Sequence, residues 1–123
     1  MQARKLLIIE DETSVRDLLG VYFQKHGFEV ILAATTQEGF RHAMESSVDI
    51  VLSDIALSDG DGLDLLTEIK AKKPELPIII MTGMGQDDNL ITEAKRKGAS
   101  GYVSKKSPLT EFVLAVNRVL AKP

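Results

Sequence analysis

The chain has 123 residues, 44% hydrophobic and 27% charged, with a net charge of -3 and a mean hydropathy of +0.01; that suffices for one core and not for two full domains, so residues 1–123 are read as a single soluble domain. The absence of cysteine excludes a disulfide framework, a thiol nucleophile and any zinc site built on thiolate. No tryptophan, 5% aromatics and an acidic balance argue against base-stacking platforms and against general attraction to nucleic acid or anionic lipid.

Short apolar runs alternate with segments of helical period, the pattern of strand–helix units around a parallel sheet. Leu6–Ile9 reads as a buried strand. Val15, Leu18, Leu19, Tyr22 and Phe23 then mark one face of a helix that stops at Gly27. Phe28–Ala33 opens the second unit, in which Thr35 and Glu38 form a capping-box signature and Phe40, Ala43 and Met44 an inner helix face. Val48–Ser53 is the third strand. After the turn residues Asp59, Gly60, Asp61 and Gly62 comes a helix with Leu63, Leu66 and Ile69 inward, and Lys70, Lys72 and Lys73 read as a solvated last turn. Pro77–Met81 is the fourth strand; Asp87 and Asp88 favour the start of the fourth helix, and Lys95-Arg96-Lys97-Gly98 its stop. Gly101–Ser104 is a short fifth strand, and Ser107-Pro108 supplies an N-cap serine and a first-turn proline to a helix facing Leu109, Phe112, Val113, Val116, Val119 and Leu120 inward. The result is an α/β fold of five strand–helix units. Its longest apolar run, around Leu76–Met81, falls far short of the roughly 20 residues needed to cross a bilayer. The run Leu6–Ile9 is too short for the core of a signal peptide. A cytoplasmic protein without membrane contact is expected.

Ligands of open parallel sheets bind outside the carboxyl ends of the strands, so the residues following each apolar run carry the chemistry. The first strand ends in Glu10-Asp11, the third in Asp54, the fourth in Thr82-Gly83 and the fifth in Lys105. Carboxylates converging there repel one another and call for a cation. Oxygen-only donors, few in number, suit magnesium better than calcium. A hydroxyl at Thr82 and an ammonium at Lys105 beside that metal are what a phosphoryl group requires. His26 and His42 fall on helices away from these ends and read as ordinary, partly exposed residues, while Met84 follows a strand end and is placed at the pocket mouth.

Together, Leu6-Leu7-Ile8-Ile9-Glu10-Asp11-Glu12, Val51-Leu52-Ser53-Asp54 with Asp61-Gly62-Leu63 after it, Ile80-Met81-Thr82-Gly83 and Gly101-Tyr102-Val103-Ser104-Lys105 resemble the receiver domain of two-component response regulators, the CheY-like family. The resemblance covers essentially the whole chain. It implies a flavodoxin-like (βα)5 three-layer sandwich with strand order 2-1-3-4-5. It further implies Asp54 as phosphoacceptor, and magnesium, or manganese in its place, held by Asp11, Asp54 and the Ala56 carbonyl, with Glu10 acting through water. Thr82 and the amides of Ala56 and Gly83 would bind phosphoryl oxygens, Lys105 would pair with their charge, and Tyr102 is similar to the aromatic whose rotamer reports activation. The implied function is that of a switch, not a conventional turnover enzyme: a bacterial-type phosphorelay protein that takes a phosphoryl group from a sensor histidine kinase or phosphotransfer protein. The implied readout is the face of the fourth helix, fifth strand and fifth helix, offered to an output domain, a downstream protein or a second phosphorylated copy, with no nucleic-acid binding by this domain.

Three positions depart from that family's pattern. Ser58 stands where proline is usual, a change expected to loosen the loop; Lys106 follows Lys105 where proline is usual, so a trans Lys105–Lys106 bond and a loosely held Lys105 are expected. Ala56 and Met84 replace residues that are often polar. Two other classes share part of this pattern. A haloacid dehalogenase-type aspartyl phosphatase also uses an aspartate and magnesium, but expects a second aspartate where Ala56 stands; a receiver-like docking module without phosphorylation does not need the full acidic set. The chain ends at Pro123, directly after the last helix, which leaves open a single-domain regulator and a receiver segment of a longer protein.

Overall fold

The computed structural model describes residues 3–83 and 88–122; Met84 and Asp87, singled out above, lie outside them. Five parallel strands, β1 (Lys5–Ile9), β2 (Glu29–Ala33), β3 (Ile50–Asp54), β4 (Ile78–Thr82) and β5 (Gly101–Ser104), form one sheet in the order β2-β1-β3-β4-β5. The helices are α1 (Thr13–Lys25), α2 (Thr36–Glu45), α3 (Gly62–Lys72), α4 (Asp88–Arg96) and α5 (Leu109–Leu120). This is the flavodoxin-like three-layer arrangement and strand order expected above.

Alternation along the strands divides the core in two. Leu6, Ile8, Ile50, Leu52, Ile79, Met81 and Val103 pack with Leu19 and Phe23 of α1 and with Phe112, Val113 and Val116 of α5. Leu7, Ile9, Val51, Ile78 and Ile80 pack on the other face with Ala43 of α2, the leucines and Ile69 of α3, and Ala94 of α4. Because β1, β3 and β4 are covered on both faces, they read as unbroken apolar runs and not as alternating ones.

The element ends show which local signals operate. Gly27 takes φ +90 after α1, a conformation costly for any side chain. Thr35 caps α2 by accepting from the Glu38 amide at 3.0 Å, while Glu38 Oε1 returns to the amide of Ala34 at 3.1 Å, so the capping box closes one residue earlier than its usual form. Lys70 and Lys73 are not simply solvated: Lys70 Nζ donates to the carbonyls of Pro74 and Leu76 at 2.9 and 3.0 Å, and Lys73 Nζ to that of Ala43 at 2.7 Å.

Two expectations are corrected. Ser107 does not cap α5: it belongs to the turn after β5, where its amide donates to the Ser104 carbonyl at 2.9 Å, and the helix begins one residue later, so Pro108 takes the flanking position, with ψ 150, and its carbonyl accepts from the Glu111 amide. Leu18 is not on the inner face of α1 but 54% exposed. The helix packs through Leu19, Gly20 and Phe23, with Gly20 set close against Leu32, which turns position 18 to solvent.

Candidate functional site

Register brings the strand ends level. Ile9 pairs with Ser53, Asp54 with Met81, and Thr82 with Ser104. The pleat then sorts side chains by parity. Glu10, Asp54 and Lys105 continue the alternation of Ile8, Leu52 and Val103, all of which face the α1/α5 layer, so three charges reach the same side of the rim.

There they meet. Lys105 Nζ lies 2.5 Å from Glu10 Oε1 and 2.6 Å from Asp54 Oδ2, between carboxylates whose side chains are 0% and 6% exposed. The other Asp54 oxygen, Oδ1, accepts from the Ala56 amide at 3.2 Å, and Glu10 Oε2 accepts from the Glu12 amide at 3.0 Å. Oxygens of Glu10, Asp11 and Asp54 lie within 4.8 Å of one another. Burial raises the Glu10 carboxyl above its ordinary range, an effect opposed by the adjacent Lys105 ammonium and the hydrogen bond from the Glu12 amide and reinforced by the charge of Asp54. For Lys105 burial acts downward, but the hydrogen bond to Asp54 and the charges of Asp54 and Glu10 outweigh it and leave the ammonium raised. The repulsion expected among crowded carboxylates is therefore offset within the protein by its own lysine.

A loosely held Lys105 is thus corrected. Its backbone is anchored by a hydrogen bond from the Lys105 amide to the Thr82 carbonyl at 2.8 Å, and its side chain by two carboxylates. No cis peptide occurs among the described residues, so the Lys105–Lys106 bond is trans as expected.

Asp11, Asp54, Ala56, Thr82, Gly83 and Lys105 share a cleft of about 270 Å³ with Glu12, Ile55 and Leu90. Thr82 is buried at the end of β4. Asp11 leaves α1 uncapped, since the N-cap residue is Glu12 and no side chain caps that end. A larger depression of about 550 Å³ lies at the opposite, amino end of β3 and β4 and includes none of these residues. Tyr102 stands apart on the outer face, 40% exposed, with Lys95 Nζ 5.5 Å from its ring centroid.

Arg16 escapes the sequence reading, and Gly62 figures there as a turn and motif residue without its packing role. Arg16 donates to the carbonyls of Glu10 and Asp11 at 2.9 and 3.4 Å, tying the acidic loop to the first turn of α1; its placement one turn after the acidic pair was the available signal. Gly62 donates its amide to Ile55 at 2.8 Å, and a Cβ there would stand 2.2 Å from the Asp54 carbonyl oxygen, so α3 must begin without a side chain to pass beneath the loop.

The donor set fits a hard divalent cation. Glu10 Oε1 is buried and, although an ammonium faces it, receives no well-directed hydrogen bond; with Asp11 and Asp54 it forms an all-oxygen cluster.

A flavodoxin-like sheet with an acidic cluster, a threonine and a lysine at its carboxyl rim defines a phosphoryl-handling signalling domain. The chain belongs to the response regulator receiver domain family, whose profile matches residues 6–117. It is 32% identical over 123 residues to the DNA-binding transcriptional regulator NtrC of Bradyrhizobium sp. (strain RP501 Parasponia), a match spanning 100% of this chain and 25% of that protein. It is also 32% identical over 120 residues to the transcriptional regulatory protein SrrA of Staphylococcus aureus, across 98% of this chain and 49% of that one. The chain therefore spans between a quarter and a half of the length of these relatives. A solved CheY-like receiver domain protein from Methanospirillum hungatei superposes with a TM-score of 0.90 at 26% identity, covering 97% of this chain and 94% of that one. The receiver domain of NtrX from Brucella abortus does so with 0.89 at 29%, covering 96% and 99%. The domain is a two-component phosphoacceptor switch. Receiver domains generally bind magnesium in an acidic pocket, and Glu10, Asp11 and Asp54 form such a cluster here. No helix among the described residues is long and apolar enough to cross a membrane.

Proposed function

We propose that Asp54 is the residue phosphorylated, by a phosphohistidine presented by a sensor histidine kinase or phosphotransfer protein. The observation that carries this is the placement of Asp54: buried at the end of the central strand, with one oxygen on Lys105 and the other on the Ala56 amide. An Asp54 oxygen attacks phosphorus in line, the P–N bond breaks with its electron pair going to the imidazole, and an aspartyl phosphate remains. Asp11, Asp54 and the Ala56 carbonyl would hold magnesium, with Glu10 acting through water. The metal supplies charge neutralisation and orients the phosphoryl group.

Lys105, already within 2.6 Å of the carboxylate, follows the charge onto the phosphoryl oxygens. The Thr82 hydroxyl and the amides of Ala56 and Gly83 supply further donors. Drawing Thr82 and Lys105 toward the phosphoryl group shifts the ends of β4 and β5 and favours inward rotation of the exposed Tyr102, altering the α4-β5-α5 face that an output domain, a downstream protein or a second copy reads. The protein acts as a switch in the cytoplasm and promotes its own modification without turning over a separate substrate.

The test is to incubate the protein with magnesium and a small-molecule phosphodonor and to locate the adduct by mass spectrometry. Labelling is expected on Asp54 and lost in Asp54→Asn; full labelling of that variant would overturn the assignment.

A further inference from the structure

The segment carrying Ala56 forms a small antiparallel ribbon, Ala56 opposite Asp61 and Leu57 opposite Gly60, closed by a turn at Ser58 and Asp59. The tip of that turn is fastened to another element. Asp59 Oδ1 accepts from the Thr36 amide at 2.8 Å; its Oδ2 accepts from the Thr36 hydroxyl at 2.9 Å and from the Gln37 amide at 3.4 Å. These are first-turn donors of α2, and Thr35 already serves the amide of Glu38, so Asp59 accepts from amides that lack partners within the helix. Its charge also meets the positive end of the helix. The Thr36 amide is the main cause holding the Asp59 carboxyl below its ordinary range. Gly60 packs closely here, since a Cβ would come 3.2 Å from Thr36 Cγ2. At the other end of the ribbon Asp61 caps α3 by accepting from the Leu63 amide at 2.7 Å.

The expectation that Ser58 loosens this loop therefore meets a compensating device. No described residue other than glycine has positive φ, which places Ser58 and Asp59 outside the primed and type II turns; type I is the commonest of the turns that remain, and it favours proline at the position of Ser58. The carboxylate of Asp59 restrains through hydrogen bonds what a ring at position 58 would restrain covalently.

We propose that Asp59 is a positioning residue for the phosphoacceptor site: by clamping the 56–61 ribbon to α2, it fixes the direction of the Ala56 carbonyl and amide. A backbone ligand has no rotamer of its own to adjust, so its aim is set by the loop's dihedral angles. The inference rests on the reading of the Ala56 carbonyl as a magnesium ligand and adds how that ligand is held.

Magnesium binding is measured by calorimetry for wild type, Asp59→Ala, Asp59→Asn and Asp59→Ala combined with Ser58→Pro, with amide exchange of the metal-free proteins followed by NMR. Asp59→Ala is expected to weaken magnesium about tenfold, the lower end of what lost outer-sphere partners typically cost, and to speed exchange at Ala56 while Leu52 and Ile80 stay protected. Asp59→Asn keeps an acceptor for the Thr36 amide and should fall between. Ser58→Pro should recover most of the affinity. Unchanged magnesium affinity and Ala56 exchange in Asp59→Ala would overturn the clamp, as would a uniform loss of protection across the sheet in both Asp59 variants, which marks a merely structural role. Failure of the wild type to bind magnesium would instead overturn the metal reading on which the clamp depends.

Discussion

Replacing Lys105 with methionine keeps most of the aliphatic stem and removes the ammonium standing between Glu10 and Asp54. Nζ lies 2.5 and 2.6 Å from their oxygens, and oxygens of Glu10, Asp11 and Asp54 are within 4.8 Å of one another. At an effective dielectric near 20, two carboxylates at that separation repel by about 3.5 kcal/mol. The variant has one escape, which is to protonate Glu10, the buried carboxyl whose pKa is already raised. From the ordinary value of 4.5, holding that proton at pH 7 costs about 3.4 kcal/mol, at about 1.36 kcal/mol per pH unit, and this caps the electrostatic loss. At pH 5.5 the same cap is about 1.4 kcal/mol. Urea denaturation of metal-free Lys105→Met should therefore show a loss of about 2–3 kcal/mol at pH 7 and about 1 kcal/mol at pH 5.5. Saturating magnesium should narrow the deficit by supplying the missing positive charge. A deficit that does not change with pH, or none at pH 7, would refute the reasoning, because the carboxylates would then not sense one another.

The same lysine predicts an alkaline limit. Burial acts downward on Lys105, but Asp54 and Glu10 together raise its pKa above the ordinary 10.5; a raised lysine contributes stability that is fully present below its unfolded value and lost as pH rises through its folded one. Urea midpoints of the wild type should fall more steeply than those of Lys105→Met as pH rises above the ordinary lysine value of 10.5. In Gly62→Ala the new Cβ would meet the Asp54 carbonyl oxygen at 2.2 Å and Ile55 Cα at 2.8 Å. Backbone must move, so a loss of about 1–3 kcal/mol and slower labelling of Asp54 are expected; a wild-type midpoint and labelling rate would count against a tight approach. Finally, the exposed Ala56 side chain lines the cleft and cannot hydrogen-bond an attacking water. If Ala56→Asn contributes about 1.4 kcal/mol to aligning that water, aspartyl-phosphate hydrolysis speeds about tenfold in a phosphate-release time course; an unaltered rate would show that this side chain does not control the step.

Much of the site is legible in one dimension because a buried parallel strand is an apolar run, and such a run announces its own end. The residues after Ile9, Ser53, Met81 and Ser104 are therefore the residues of the rim, and their types already indicate carboxylate, hydroxyl and ammonium chemistry. Helix period and glycine stops likewise locate the five helices, with errors where the local signal was ambiguous. Ser107 and Leu18 show the two kinds of error: a capping residue recruited by a preceding turn, and an apolar residue left outside when the helix rolls to fit its neighbours.

Sequence alone thus determined the order of elements and the kinds of groups at each strand end, since both depend on neighbours a few residues apart. Tertiary structure alone decided which groups touch. Lys105 reaches Asp54 across 51 positions, and Asp59 reaches Thr36 across 23. Strand register and pleat parity put Glu10, Asp54 and Lys105 on one side of the rim, and the turn at Ser58 aims Asp59 at the end of α2. Such contacts depend on the mutual placement of elements that no local propensity encodes, because each partner reads, in its own stretch of chain, only as a polar residue at the end of something apolar.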